Sequence, residues 1–177
     1  MQPPSTITTE RLILRQPTDQ DAELIFEQYA GDLDVTKYLS WQPHKSMAQT
    51  NEYLERCITA WQEKSAFPFV LIRRNDARLI GMVEIRIDNF KADLGYVLAK
   101  SLWGKGYMSE AVKALVDWSL KQTEIHRVWA VCDTENVASA RVLEKVGMKR
   151  EGILKKWLVH PNIAAEPRDC YCYAIVK

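Results

Sequence analysis

The sequence has few of the residues that bind metals and almost no net charge. Four cysteines and three histidines occur in 177 residues, and no C-x-x-C or H-x-x-x-H pair brings two of them together. A zinc site needs four converging ligands, so the spacing predicts no metal centre. The formal net charge of +1 produces no overall field that would favour nucleic acid or an anionic membrane, and we expect neither as a partner.

Long hydrophobic runs and a secretion signal are also missing. No apolar stretch approaches the roughly 20 residues of a membrane-spanning helix, and the first residues, Met1 to Thr6, include neither a basic nor an apolar region. We therefore expect a cytoplasmic protein whose cysteines are reduced. The composition is ordinary for a globular protein, 47% hydrophobic and 27% charged, and the length suits one domain with a substantial core, residues 1–177.

Hydrophobic periodicity and turn residues divide the chain into strands and helices. Apolar runs predict strands at Thr9–Arg15, Phe67–Arg73, Leu79–Ile87, Leu94–Leu98, Arg127–Cys132, Lys149–Val159 and Cys170–Val176. Helical spacing and capping residues predict helices after Asp19, over Ser46–Glu63, from Ser109 onwards and over Val137–Val146. The strands at Leu94 and Arg127 must be parallel, because a helix crossover separates them. The prediction is an α+β fold with a mixed sheet.

A glycine turn separates the Leu94 strand from the helix that follows it. Gly104 and Gly106 permit backbone angles that are closed to other residues. The helix that begins near Ser109 presents unpaired N–H groups and the positive end of its dipole at one spot. Such a site binds anions, most often phosphate. The alternative is a strand–helix connection that needs glycine only for its geometry.

Asn136 and Ser139 occupy the corresponding place after the next strand. Asn136 stands at an N-cap position and Ser139 in the first turn, and either residue could have only that structural role. Two neighbouring parallel strands end here, and ligands of such sheets bind at the carboxyl ends of the strands. We therefore expect both motifs to face one site.

Together these residues resemble the GNAT acetyltransferase superfamily. The resemblance is carried by Trp103-Gly104-Lys105-Gly106-Tyr107-Met108-Ser109-Glu110-Ala111, by Asn136-x-x-Ser139-x-Arg141-Val142-Leu143-Glu144-Lys145-x-Gly147-Met148 and by Thr9-Glu10-Arg11-Leu12-Ile13-Leu14-Arg15. The motifs look most like those of the RimJ/RimL-type ribosomal-protein N-acetyltransferases. The resemblance implies a single GNAT-like domain, with a mostly antiparallel sheet that contains a central, splayed parallel pair and is flanked by helices. It also implies acetyl-CoA as co-substrate and a primary amine as acceptor.

The resemblance implies roles for individual residues. The pyrophosphate of acetyl-CoA would bind to the turn formed by Trp103, Gly104, Lys105, Gly106, Tyr107, Met108 and Ser109, and Asn136 and Ser139 would line the same site. The edge of Val97 and Leu98 would pair with the pantetheine arm, and an N–H near these two residues would stabilise the oxyanion. Many members carry a tyrosine as general acid where this chain has Leu143, which leaves Ser139 as the candidate acid. The departing thiol, with a pKa of about 8.5, needs little help.

Asp93 and Glu84 are the candidate general bases. Asp93 resembles the acidic residue beside the Leu-Gly-Tyr strand of the family, and Glu84 lies on the preceding strand. Asp93 could equally be a solvated turn carboxylate, and Glu84 could be a half-buried partner of Arg86 or another surface charge. Deprotonation could also proceed through water. An α-amino acceptor, with a pKa of about 7.7–8.0, needs only a modest base, whereas a lysine at about 10.4 is mostly charged.

The sequence leaves alternatives open. The favoured acceptor is the α-amino group of a protein or peptide N-terminus, for example that of a ribosomal protein; a polyamine, an amino acid or an antibiotic is the small-molecule alternative. Absence of the tyrosine acid admits a non-catalytic CoA-binding protein. Gly104-x-Gly106-x-x-Ser109 followed by Asp133 also imitates a dinucleotide-binding oxidoreductase, although the third glycine is absent. Trp41 is predicted to line the acceptor cleft, and both a monomer and a homodimer fit the sequence.

Overall fold

The computed structural model describes residues 1–177 and contains one eight-stranded sheet. Its strands are β1 (Thr6–Thr8), β2 (Leu12–Arg15), β3 (Phe67–Arg73), β4 (Arg78–Asp88), β5 (Lys91–Leu98), β6 (Arg127–Asp133), β7 (Lys149–Val159) and β8 (Pro167–Val176). They lie in the order β1-β2-β3-β4-β5-β6-β8-β7. All neighbouring strands are antiparallel except β5 and β6, as the sequence predicts.

Five helices accompany the sheet. They are α1 (Ala22–Ile25), α2 (Leu33–Thr36), α3 (Met47–Glu63), α4 (Tyr107–Lys121) and α5 (Val137–Lys145). A 3-10 turn before α1 and a π turn after it extend that helical segment from Asp19 to Ala30. None of the helices combines the length and the apolar character that crossing a membrane requires.

The parallel strands β5 and β6 are joined at one end only. Lys91–Asp93 pairs with Arg127–Trp129, and no pairing of these two strands follows. β5 remains paired with β4 as far as Leu98, and β6 remains paired with β8 as far as Asp133. The two strands therefore separate and leave a wedge-shaped space between residues 94–98 and 130–133, which we call the gap. The predicted splayed pair is confirmed.

Helices pack on both faces of the sheet. On the first face, which we call the α4 face, α4 and α5 bury Leu115 and Leu143 against Leu94 and other strand residues. On the opposite α3 face, α1 and α3 pack over β3 and β4. Because side chains alternate along a strand, the core residue Val97 and its alternate neighbour Gly95 belong to the α3 face.

The N-terminal segment differs from the predicted single strand Thr9–Arg15. It forms two short strands, β1 and β2, which pair with each other through a turn. The Thr9 N–H donates to the Leu12 carbonyl at 2.9 Å, and the Leu12 N–H donates to Thr9 Oγ1 at 3.0 Å. Glu110 on α4 then accepts from the Thr9 hydroxyl at 2.6 Å and from the Arg11 N–H at 2.8 Å. A carboxylate about a hundred positions away thus fixes the turn, and periodicity carries no signal of it.

We expect Glu110→Gln to destabilise the protein by about 1–3 kcal/mol at pH 7, because it weakens hydrogen bonds to a charged, mostly buried acceptor. Burial raises the pKa of Glu110, but hydrogen bonds from Thr9 and Arg11 together with the Arg11 charge outweigh it and lower the pKa overall. This stabilisation is therefore fully present above the unfolded-state pKa of about 4.3 and is lost as the pH falls through the lower folded-state pKa.

Urea unfolding of wild type and Glu110→Gln across this range checks the expectation. The difference between the two proteins should be largest near neutral pH and should shrink in acid. A difference that stays constant down to about pH 2.5, well below the usual glutamate pKa of about 4.3, would contradict the assignment of the ionised carboxylate as the stabilising group.

Candidate active site

The main-chain groups of Tyr96 and Leu98 face the gap. A Cβ on Gly81 of β4 would overlap the Val97 carbonyl oxygen, so this carbonyl points towards β4. Main-chain groups of successive residues point alternately to the two sides of a strand, and those of Tyr96 and Leu98 therefore point away from β4. The indole Nε1–H of Trp103 agrees with this orientation, because it donates to the Leu98 carbonyl at 2.8 Å. The Leu98 N–H and both main-chain groups of Tyr96 are left directed into the gap.

The two residues predicted to pair with pantetheine are thus oriented differently. Leu98 turns its N–H into the gap, whereas Val97 turns its main chain towards β4 and buries its side chain in the core of the α3 face. β4 lies so close to β5 here that only glycine fits at position 81. Next to this contact, the register of β4 with β3 shifts between Gly81 and Leu79, a bulge that leaves Ile80 unopposed.

The glycine turn places the start of α4 at the mouth of the gap. Gly104 and Gly106 have φ angles of 73° and 79°, and Gly106 directly precedes α4, which is 15 residues long. The helix begins at Tyr107 rather than near Ser109, because the left-handed backbone of Gly106 supplies its N-cap. The N–H groups of the first turn have no partner within the helix, and they lie at the positive end of its dipole. This cradle has the chemistry of a phosphate site.

Two cationic side chains from other parts of the chain approach the cradle. A Cβ on Gly106 would lie 3.4 Å from Arg11 Nη2 and 3.7 Å from Lys145 Nζ. Arg11 is held in place by Glu110, with 2.6 Å between Nε and Oε2, and it donates to the Lys105 carbonyl at 3.0 Å. Arg11 was not among the predicted site residues. Arg11 and Lys145 come from the β1–β2 turn and the last turn of α5, and only the fold brings them together.

The other residues of the turn are placed unevenly. Trp103 is 45% exposed, and Lys105 is also on the surface. The guanidinium carbon of Arg11 lies over the Tyr107 ring, 4.5 Å from the centre of that ring. Met108 is buried in the core of the α4 face, so only its main chain can contribute to a site, and Ser109 is half-buried in the first turn.

Ser139 is bonded to Tyr96 across the gap. Asn136 caps α5, because its Oδ1 accepts the Ser139 N–H at 3.1 Å. Ser139 Oγ lies 2.7 Å from the Tyr96 hydroxyl oxygen, so one hydroxyl donates to the other. Burial raises the pKa of the Tyr96 phenol, which keeps it protonated. Tyr96 was not predicted as a site residue, since its partner is 43 positions away and nothing local marks the contact. Leu143, one helical turn beyond Ser139, is fully buried.

Glu84 and Asp93 lie on the α3 face and share one arginine. Glu84 stands opposite Gly95, and Arg86 stands opposite Asp93. One Arg86 nitrogen, Nη1, lies 2.5 Å from Glu84 Oε1, and another, Nε, lies 2.9 Å from Asp93 Oδ2. Burial lowers the pKa of Arg86, but the two carboxylates outweigh this and raise it overall. Asp93 belongs to the closed end of the gap, where β5 and β6 are paired, whereas Glu84 is level with the open part.

Loops form a wall on the α3 face beyond α2. Trp41 contacts His44 and Tyr53, with ring centres 4.9 Å and 5.8 Å away. Burial lowers the pKa of His44, which favours the neutral ring. Asn162, in the loop between β7 and β8, donates to the Trp41 carbonyl at 2.8 Å and to the Thr36 carbonyl at 2.7 Å. These contacts tie the two loops together around Trp41.

Asp133, at the end of β6, is already engaged by the protein. It is 1% exposed and accepts from Arg168 Nε at 2.6 Å and from the Glu135 N–H at 2.8 Å. Burial raises the pKa of Asp133, but these bonds and the nearby charge lower it overall. In a dinucleotide-binding domain, the acidic residue of the fingerprint must be free to bind ribose. The sheet of such a domain is doubly wound and mostly parallel. Here the sheet has a single parallel pair, which removes the oxidoreductase alternative.

Comparison with models of known protein families shows the family to which the chain belongs. The model of the acetyltransferase (GNAT) domain matches residues 11–149, which include the glycine turn, the gap and α5. The chain belongs to the GNAT acetyltransferase family. It is accordingly an N-acetyltransferase, with acetyl-CoA as co-substrate.

Individual relatives agree with this. The chain is 33% identical over 174 residues to the uncharacterized N-acetyltransferase YoaA of Bacillus subtilis, with 97% of this chain and 96% of the relative covered. It is 27% identical over 172 residues to the ribosomal protein uS5 alanine N-acetyltransferase of Escherichia coli, with 89% and 84% covered. Its fold is similar to that of RimL, a ribosomal L7/L12 α-N-protein acetyltransferase solved with coenzyme A, at a TM-score of 0.83, 22% identity and 97% coverage of both chains.

Proposed function

We propose that this GNAT enzyme transfers the acetyl group of acetyl-CoA to the α-amino group of a protein or peptide N-terminus. The observation that carries the proposal is the gap between β5 and β6. An anion-binding helix start lies at its mouth, the hydroxyl pair of Ser139 and Tyr96 lies on its α4 face, and Glu84 lies on its α3 face. A thioester in the gap is then held from one face of the sheet and open to an amine from the other.

The residues around the mouth of the gap suit the phosphates of CoA. The N–H groups at the start of α4 bind the pyrophosphate, and Arg11 and Lys145 add positive charge beside them. The missing side chain of Gly106 supports this role, because a Cβ there would enter the space between the two cations. Along β5, the free main-chain edge of Tyr96 and Leu98 pairs with the pantetheine arm as an added strand does.

The chemistry requires one bond to form and one to break. The amine nitrogen bonds to the carbonyl carbon of the thioester, the carbon–sulfur bond breaks, and CoA leaves with its sulfur protonated. The N–H groups of Tyr96 and Leu98 point into the gap, where they stabilise negative charge on the carbonyl oxygen. Ser139 gives its proton to the sulfur and recovers one from solvent once CoA has left, and the Tyr96 hydroxyl, bonded to Ser139 Oγ, orients the serine hydroxyl.

The proton of the amine leaves on the α3 face. Glu84 is the better placed of the two candidate bases, because it stands opposite Gly95, level with the open part of the gap. Asp93 at the closed end of the gap holds Arg86 and through it the Glu84 side chain, which makes Asp93 a positioning residue. A carboxylate that acts through water suffices for an α-amino group, whose pKa of about 7.7–8.0 leaves part of it neutral at pH 7.

We expect Glu84→Gln to lower kcat/KM by about tenfold or more, and tenfold lies below the usual range for general base catalysis of roughly 10²–10⁴ because the base acts through water. Asp93→Asn should have a smaller effect, and both deficits should be greatest below the pKa of the acceptor, where a base is needed most. Initial rates against pH for the two variants check this. A larger deficit in Asp93→Asn than in Glu84→Gln would reverse the assignment of the base.

The acceptor class is tested with two matched peptides, one with a free N-terminus and no lysine, the other N-blocked with a single lysine. We expect the free N-terminus to be acetylated faster, with a rate that rises with pH through the pKa of the α-amino group, because the lysine at about 10.4 stays charged. Support for this acceptor also comes from the Escherichia coli relative, whose name specifies a protein alanine. Faster acetylation of the lysine peptide would overturn the assignment, and inactivity with both peptides but transfer to polyamines or amino acids would replace it with a small-molecule acceptor.

A further inference from the structure

Gly95 has no structural reason to be glycine. Its φ is not in the left-handed region, unlike those of Gly104, Gly106 and Gly147. Nor does packing require it, because a Cβ at position 95 would meet no atom within 4 Å. Gly81 differs in this respect, because a Cβ there would overlap the neighbouring strand. The bare Cα of Gly95 therefore leaves open space that the protein itself does not use.

That open space lies beside the reacting position. Gly95 belongs to the α3 face of β5, opposite Glu84 on β4, and it directly precedes Tyr96, whose main chain faces the gap. Helices α1 and α3 pack over β3 and β4, and no atom of either helix lies within 4 Å of a Cβ placed at position 95. The cofactor cradle and the Ser139–Tyr96 pair lie on the α4 face, on the far side of the sheet.

We propose that the acceptor amine reaches the thioester across the bare Cα of Gly95, so that the side chain at this position sets which acceptors the enzyme can use. The inference rests on the proposed function and specifies its acceptor path. The proton-accepting Glu84 borders this path, and a side chain at position 95 would project into it. Because extended backbone favours residues larger than glycine, such a side chain obstructs the acceptor without disturbing the fold.

The test is a series of Gly95→Ala, Gly95→Val and Gly95→Leu. Gly152→Val is the matched control, because Gly152 is also a strand glycine with ordinary φ and open space around its Cβ, but it lies on β7, away from the gap. Four quantities are measured for each variant: the melting temperature, the affinity for CoA, the acceptor KM with a free-N-terminus peptide, and the affinity for a bisubstrate analogue in which that peptide is joined to CoA.

We expect the acceptor KM to rise stepwise with side-chain size, at least tenfold for Gly95→Val, and the extra affinity of the bisubstrate analogue over CoA to be lost in parallel. CoA affinity should stay within about twofold of wild type and the melting temperature should not fall, and Gly152→Val should match wild type throughout. Unchanged acceptor KM and analogue affinity in Gly95→Leu, or loss of CoA affinity in Gly95→Val, would overturn the proposal.

The two proposals can fail separately. If wild type binds the analogue more tightly than CoA yet transfers no acetyl group, the proposed function fails, and the analogue affinities of the Gly95 series still test the acceptor path. If wild type binds the analogue no better than CoA, the acceptor path fails.

Discussion

Replacement of Gly106 by valine is expected to weaken CoA binding by about a hundredfold or more. The residue has a φ of 79°, which is strained for any β-branched side chain. A valine would also fill the space between Arg11 and Lys145 and displace the N–H groups that hold the pyrophosphate. Loss of two hydrogen bonds to a charged group, each contributing about 1.5–3 kcal/mol, accounts for a change of this size.

Isothermal titration with CoA measures this loss, and the melting temperature of the free protein shows whether the fold survives. Lys105→Ala is the matched control, because it changes the same turn but keeps every N–H and removes an ammonium that is bonded to the Ser101 carbonyl. Its CoA affinity should stay near that of wild type. If a folded Gly106→Val protein bound CoA normally, the cradle at the start of α4 would not be the pyrophosphate site.

The second large effect is expected from the hydroxyl pair. Ser139→Ala should lower kcat by about tenfold to a hundredfold with little change in CoA affinity, because the thiolate, with a parent pKa of about 8.5, can leave slowly without a proton. A decrease in kcat of this size is at or below the lower end of the usual range for general acid catalysis. Tyr96→Phe should also lower kcat, but by a smaller factor than Ser139→Ala. Ser139 keeps its hydroxyl in this variant but loses the Tyr96 hydroxyl that lies 2.7 Å from it.

Two observations separate proton donation from a structural effect. An acetyl thioester with a more acidic leaving thiol should narrow the deficit of both variants, since its sulfur needs no proton to depart. Tyr173→Phe controls for loss of a phenol on the same face, because Tyr173 bonds to Glu144 on α5 rather than to Ser139. Unchanged kcat in Ser139→Ala would mean that the thiolate leaves unassisted, and equal deficits with both thioesters would make the pair structural.

Local signals in the sequence predicted those parts of the site that are built from neighbouring residues. Gly104 and Gly106 take the left-handed angles that the glycine turn implied, and Asn136 caps α5 as its position indicated. The splayed pair followed from the family resemblance and is confirmed by the loss of pairing beyond Asp93 and Trp129. For the glycine turn and the helix cap, a short run of residues determines the geometry.

The rest of the site depends on contacts between distant segments. Arg11 reaches the cradle because Glu110 holds the β1–β2 turn against α4. Tyr96 meets Ser139 only because β5 and α5 lie on opposite sides of the gap. The fold brings the residues of each pair together, and no local sequence pattern marks them. A single sequence therefore does not predict these contacts.

The orientation of β5 is a further case. The sequence indicated that Val97 and Leu98 form the edge of the gap, but the phase of a strand is set by its neighbour. The close approach at Gly81 shows that the Val97 carbonyl points towards β4, so the main-chain groups of Tyr96 and Leu98 face the gap. The sequence allowed a pair of Glu84 with Arg86, which the structure contains, but only the register of β4 with β5 brings Asp93 to the same guanidinium.

The central claim is that acetyl-CoA in the gap gives its acetyl group to an α-amine. The most direct measurement is the release of free CoA thiol by wild type with and without a free-N-terminus peptide, together with mass spectrometry that locates the acetyl group on the product. The account predicts peptide-dependent thiol release in a one-to-one ratio with acetylation of the N-terminal nitrogen. Tight CoA binding without acetylation of any amine offered would contradict it and leave a non-catalytic CoA-binding protein.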